Sequence, residues 1–163
     1  MKTVLEIFVA EKEWDDEIEL DDESGSHYLV THIKIMNQVF ELEVYGDDQR
    51  DRLSLFLTPP FRATEGTNAD LCQLFNYLNE RYLYSGRLSV DMSGRIKYKA
   101  VIDTDNLEPS AAMIDNLLGS AIALFDNQME PIAAVAMTNR TFAETLADYE
   151  KKEAINDARS NQE

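Results

Sequence analysis

The stretch Asn68–Ile102, NADLCQLFNYLNERYLYSGRLSVDMSGRIKYKAVI, joins one amphipathic helix directly to one β-hairpin. Asn68 is a favoured N-cap residue, and Asp70 complements the positive end of a helix dipole. Leu71, Leu74, Phe75, Leu78 and Tyr82 recur at helical spacing, with Gln73, Asn76 and Glu80 on the opposite face. Gly86 predicts the helix stop. Leu88 and Val90 then alternate with Ser89 and Asp91, and Ile96, Tyr98, Ala100 and Ile102 alternate with Arg95, Lys97 and Lys99. Asp91-Met92-Ser93-Gly94 has the residues that tight turns favour. A helix laid on the apolar side of such a hairpin begins an α+β core.

Upstream, the apolar residues Val4, Leu5, Phe8 and Val9 fit a helix or a strand equally well. Trp14 to Leu20 predicts a short edge strand protected by charge. His27 to Ile35 is rich in β-branched and aromatic residues, Asn37-Gln38 predicts the turn, and Val39, Phe40, Leu42, Val44 and Tyr45 form the partner strand. After a polar loop, Leu53, Leu55 and Leu57 alternate with Ser54, Phe56 and Thr58 until Pro59-Pro60 ends the strand. Downstream, Pro109 suits the first turn of a helix carrying Ile114, Leu117, Leu118, Ala121, Ile122 and Phe125. Asp126-Asn127-Gln128 reads as an interruption, and Pro131 as the start of a new helix or a kink in the old one. Thr141 with Glu144 three residues on is a capping-box signature opening a last helix with Phe142, Leu146 and Tyr149. One domain over residues 1–150 and a charged tail over 151–163, frayed or solvent-exposed, is the expected organisation.

The chain has 163 residues and a net charge of −16, which argues against nucleic acid and anionic membrane surfaces as partners. No apolar run is long enough for a membrane span, and the N-terminus lacks a signal-peptide pattern, so a cytoplasmic protein is expected. Cys72, the single cysteine, excludes an internal disulfide and reads as a small buried or half-buried residue beside the helical stripe.

Acid is concentrated between Glu11 and Glu23, where only Lys12 opposes it. A calcium-loop spacing fails there, because counting back from Gly25 puts Leu20 at the first ligand position. The run reads first as a solvated acidic edge, with a metal or small-ligand site in segment 11–23 as the alternative. His27 and His32, five apart on one strand, point to opposite faces and cannot share a metal. Asp103 and Asp105 read as loop-capping groups rather than an acid–base pair. No catalytic residue, metal ligand or cofactor site is assigned. Two surface features suit a partner. Tyr77 and Tyr84 share one flank of the Asn68 helix, where tyrosines serve either as rims of the core or as a homodimer contact. Arg87, Arg95, Lys97 and Lys99 make a basic patch on the outward face of the hairpin.

The order helix, antiparallel strands, helix, hairpin, long helix resembles the fold of class I type III secretion chaperones, and more specifically the YbjN family of bacterial sensory-transduction regulators. The residues that carry the likeness are Leu55 to Pro60, Phe75-Asn76-Tyr77-Leu78-Asn79, Ser85 to Asp91, Ser93 to Lys99 and the Ile114–Phe125 helix. They span about Leu53 to Met137. The resemblance implies a helix over Thr3–Glu13 and an α+β fold with helices packed on an antiparallel sheet. It also implies a non-enzymatic, homodimeric protein-binding module, chaperone-like or regulatory, that holds a segment of a partner protein. Acidic charge fits that expectation, since it keeps exposed apolar surface soluble and favours basic partners.

Overall fold

A computed structural model describes residues 1–82, 85–105, 107 and 109–160, apart from the side chains of 153 and 156–160. In chain order the elements are α1 (Lys2–Glu11), β1 (Glu19–Asp21), β2 (Ser26–Ile35), β3 (Gln38–Asp47), β4 (Arg52–Thr58), α2 (Asn68–Tyr82), β5 (Arg87–Val90), β6 (Ile96–Asp103), α3 (Ala111–Met137) and α4 (Phe142–Ser160). The strands form one antiparallel sheet in the order β1-β2-β3-β4-β6-β5. β2, β3 and β4 are a meander. α2 then carries the chain past β4, so that the β5–β6 hairpin returns with β6 against β4.

Period-two alternation puts the apolar sets in register across the sheet. One row runs Leu29, Val44, Leu55, Ala100, and the next runs Thr31, Leu42, Leu57, Tyr98, Leu88. Val4, Leu5 and Phe8 of α1, Leu71, Leu74, Phe75 and Leu78 of α2, and Ile114, Leu118, Phe125 and Ile132 of α3 close over these rows in one core. Phe40 and Phe125 join sheet to α3 with ring centroids 4.9 Å apart. Each fully buried Leu or Phe contributes about 1.5–3 kcal/mol relative to exposure, so this shared face holds the layers together.

Local signals were overridden in several places. Asn68 is not a side-chain cap: its amide donates to the Asp91 carbonyl at 3.4 Å, tying α2 to the hairpin turn. Gly86 does not take a left-handed conformation. A Cβ there would lie 2.3 Å from Cζ of Tyr98, so the site needs glycine for close approach. The β2–β3 turn is Met36-Asn37, both at positive φ (49° and 73°), one residue earlier than expected. Of Trp14–Leu20 only the end becomes strand, because Trp14 and Ile18 pack on the core and Asp16 accepts a bond from the Thr31 hydroxyl at 3.0 Å. Pro109 precedes the helix, and Ser110 caps it by accepting from the Met113 N–H. Neither Asp126-Asn127-Gln128 nor Pro131 breaks α3, whose buried stripe continues through Phe125, Met129, Ile132, Val135 and Ala136. Burial on both sides of the proline outweighs its local cost. Cys72 is exposed, since α2 turns the neighbouring Leu71 inward in its place.

The capping box forms as read, with Thr141 N–H donating to Glu144 at 2.9 Å and Glu144 N–H to the Thr141 hydroxyl at 3.3 Å. α4 is helical as far as Ser160, through most of the charged tail. Its start is also held from outside: the Asp70 carboxylate accepts the Phe142 N–H at 2.7 Å, so α2 caps α4.

Candidate functional site

The same register that buries one set of side chains presents the other set on a face where no helix packs among the described residues. Across it run Val30, Glu43, Phe56, Lys99 and Arg87 in one row, and Tyr28, Tyr45, Ser54 and Val101 in the next. Tyr28 stacks on Tyr45 at 5.7 Å, and Tyr45 meets Phe56 edge-on at 5.8 Å. Val30, Val39 and Val101 are exposed on this face, at 41%, 55% and 42%. An aromatic strip flanked by exposed valines is surface that a partner could desolvate.

Charge organises the remainder. Lys97 pairs with Glu43 at 3.0 Å, and Arg95 pairs with Glu41. The Lys97 and Lys99 ammonium groups lie 5.3 and 5.4 Å from the Phe56 ring centroid, one on each of two successive outward positions of β6. At the far end of β3, the buried Asp47 carboxylate accepts from the Gln49 and Arg50 N–H groups at 3.1 Å and from the Arg50 guanidinium at 3.0 Å, with Arg52 at 3.7 Å. Burial pushes the Asp47 carboxyl up, but the Arg50 bonds outweigh it and hold the group below the usual range. Desolvation raises the Tyr45 hydroxyl, helped by Glu43 and Asp21. Two shallow concavities result. One, about 350 Å³, is lined by Arg50, Arg52, Lys97, Lys99, Tyr45 and Phe56 among others. The other, about 400 Å³, lies by His32, Val39, Pro60 and Arg62.

The sequence-read residues divide. Arg87, Lys97 and Lys99 share the helix-free face, and Arg95 lies at the hairpin turn beside Glu41. Arg87 donates to the Gly86 carbonyl at 3.0 Å. Tyr77 belongs to the helical layer, half-buried beneath α4, with the Tyr149 and Phe142 rings at 5.4 and 6.2 Å and Arg81 at 5.3 Å. Burial, with Tyr82 and Tyr77 beside it, pushes the Tyr149 hydroxyl well up. Tyr84 lies outside the described residues. His27 faces the helical side, while His32 is exposed on the other. Acidic side chains of segment 11–23 take separate partners: Asp16 with Thr31, Glu19 with Tyr28, Asp21 with Ser24. Among the described residues no three His, Cys, Asp or Glu side chains converge as a metal site. No helix among them is long and apolar enough to cross a membrane. Asp103 caps its own loop, accepting the Asp105 N–H at 3.1 Å. Sequence reasoning missed Tyr28, Tyr45, Asp47, Arg50 and Arg52. The out-facing Phe56 between Leu55 and Leu57 was the available signal.

A one-sided sheet, helices on one face and a patterned surface on the other, defines an α+β fold of the type III secretion chaperone kind. The chain belongs to the YbjN family, "Putative bacterial sensory transduction regulator", whose model matches residues 2–131. Among solved structures it is similar in fold to a chain of the ExsC-ExsE complex, at 17% identity and TM-score 0.51, covering 77% of this chain and 90% of that one. A chain of the HopA1-SchA chaperone–effector complex aligns at 22% identity and TM-score 0.50, covering 77% and 92%. The Yersinia pestis type III secretion chaperone SycH, in complex with a fragment of YscM2, aligns at 17% identity and TM-score 0.48, covering 75% and 93%. No curated protein matches the chain in sequence.

Proposed function

We propose that this protein is a non-enzymatic binding module that holds an extended segment of a partner protein on the helix-free face of its sheet, as a regulator or chaperone. The observation that carries the reading is that face itself: a six-stranded sheet leaves Tyr28, Tyr45, Phe56 and exposed valines uncovered by its own helices. Similarity in fold to chains solved in complex with another protein, one of them a chaperone–effector complex, supports the same reading by analogy.

The module works as a homodimer in a cytoplasmic setting, with residues 1–150 as its folded domain. Because Phe142 and Tyr149 cover Tyr77, a second subunit meets α2 through the exposed Cys72, Gln73 and Asn76 face. The basic residues Arg87, Arg95, Lys97 and Lys99 border the partner surface.

The test is affinity capture with the wild-type chain beside a Val30→Glu/Val39→Glu variant. These side chains are exposed, so the variant keeps the fold while placing two more acids on the face. A stoichiometric protein bound by wild type, lost from the variant and released by its own peptide, is the expected result. Equal capture by both forms refutes the assigned surface. Light scattering tests the dimer, and a monomer at micromolar concentration refutes it.

A further inference from the structure

We infer that the cationic concavity at the Arg52 corner of the helix-free face binds the phosphate group of a small organic phosphate. The concavity, about 350 Å³, lies in the range of small-molecule pockets. Four cations line it: Arg50, Arg52, Lys97 and Lys99. Two carboxylates face them. Asp47, buried, is shared by Arg50 at 3.0 Å and Arg52 at 3.7 Å, and Glu43 takes Lys97 at 3.0 Å. Lys99 forms no ion pair among the described residues and rests only on the Phe56 ring. Lys99 is therefore the cation of the concavity without a carboxylate partner, in a chain whose net charge is −16. Its ammonium and the exposed Arg52 guanidinium are the groups that a phosphate would engage.

Two further carboxylates stand at the rim. Asp21 accepts from the Ser24 hydroxyl at 2.6 Å and the Glu23 N–H at 3.1 Å, and Asp103, across from Arg52, accepts from Asp105 N–H. Ser26 and Ser54 line the concavity as buried hydroxyl residues, supplying donors that a phosphate oxygen accepts. Tyr45 and Phe56 give the ligand's organic body an aromatic wall. Asp47 is the positioning residue, because it holds the two guanidinium groups in place from beneath.

The proposal does not depend on a protein partner. Val30 and Val39 lie outside this concavity, so the Val30→Glu/Val39→Glu variant separates the two readings. The experiment is an NMR titration of the whole chain at low ionic strength with phenyl phosphate, inorganic phosphate and chloride of matched ionic strength. Saturable amide shifts centred on Ser24, Arg52, Ser54 and Lys99 are expected with phenyl phosphate and not with chloride. An Arg52→Gln/Lys99→Gln variant, changed only at exposed side chains, should keep its dispersed spectrum and bind at least about tenfold more weakly, the scale of one lost charge-assisted hydrogen bond. Absent shifts, shifts mapping elsewhere or unchanged affinity in the variant would overturn the site. Inorganic phosphate binding as tightly as phenyl phosphate would overturn the organic ligand.

Discussion

Gly86→Ala tests the junction between α2 and the hairpin. A Cβ at that position would lie 2.3 Å from both Cζ and Oη of Tyr98 and 2.6 Å from Cε2. Ordinary carbon contacts are about 3.5–4.0 Å, so ring or backbone must retreat by about 1 Å. Tyr98 is wholly buried and cannot swing into solvent. It is also fixed in register between Leu57 and Leu88. Overpacking of this kind costs about 1–3 kcal/mol. For a chain of this size that is a melting temperature lower by about 2–12 °C. The assay is thermal unfolding of four proteins: wild type, Gly86→Ala, Tyr98→Leu and the double variant. Tyr98→Leu destabilises on its own, but in its background the added methyl has room, so Gly86→Ala should cost little or nothing. Coupling between contacting residues runs to about 0.5–3 kcal/mol, well above measurement error. Additive losses, or an unchanged melting temperature in Gly86→Ala, would show that Gly86 is there for some reason other than the Tyr98 ring.

Asp70→Ala removes the acceptor for Phe142 N–H and should cost about 0.5–2 kcal/mol while exposing α4 to limited proteolysis; equal protease resistance in wild type and variant would count against α2 capping α4. The hydroxyl and N–H of Ser93 and the N–H of Arg95 hold Asp91 below its ordinary value of 3.8, and Thr141 holds Glu144 below 4.5. Both carboxyls therefore bind protons less readily folded than unfolded, so their stabilisation is complete above those values and is lost as pH falls through the lower, folded ones. The gap in melting temperature between wild type and Asp91→Asn/Glu144→Gln should hold steady from pH 7 to about pH 5 and close in more acid solution; a gap that persists unchanged to about pH 2 would contradict the assignment.

Much of the helical layer and the alternating strands is present in the order of residues. Leu71, Leu74, Phe75 and Leu78 declare a helix, and Leu53, Leu55 and Leu57 a strand, because burial on one face imposes its own period on the sequence. Thr141 and Glu144 declare the last helix, because a capping box is local chemistry. The basic residues Lys97 and Lys99 were legible as outward-facing for the same reason of period.

Their partners were not. Glu43 lies 54 positions from Lys97, and only strand pairing brings the two carboxylate–ammonium groups to 3.0 Å. Which side of the sheet the helices cover, that Arg50 and Arg52 share Asp47, and that Tyr77 is claimed by α4 are likewise outcomes of packing. Local propensity left Pro131 between a new helix and a kink and read Gly86 only as a stop, whereas packing decides both: the helix runs on through the proline where both sides are buried, and the glycine is required where a distant ring arrives. Period, caps and turns depend on neighbours along the chain and can be read from it. Register across strands, the uncovered face and the balance of charge upon it depend on neighbours in space, and those the fold alone supplied.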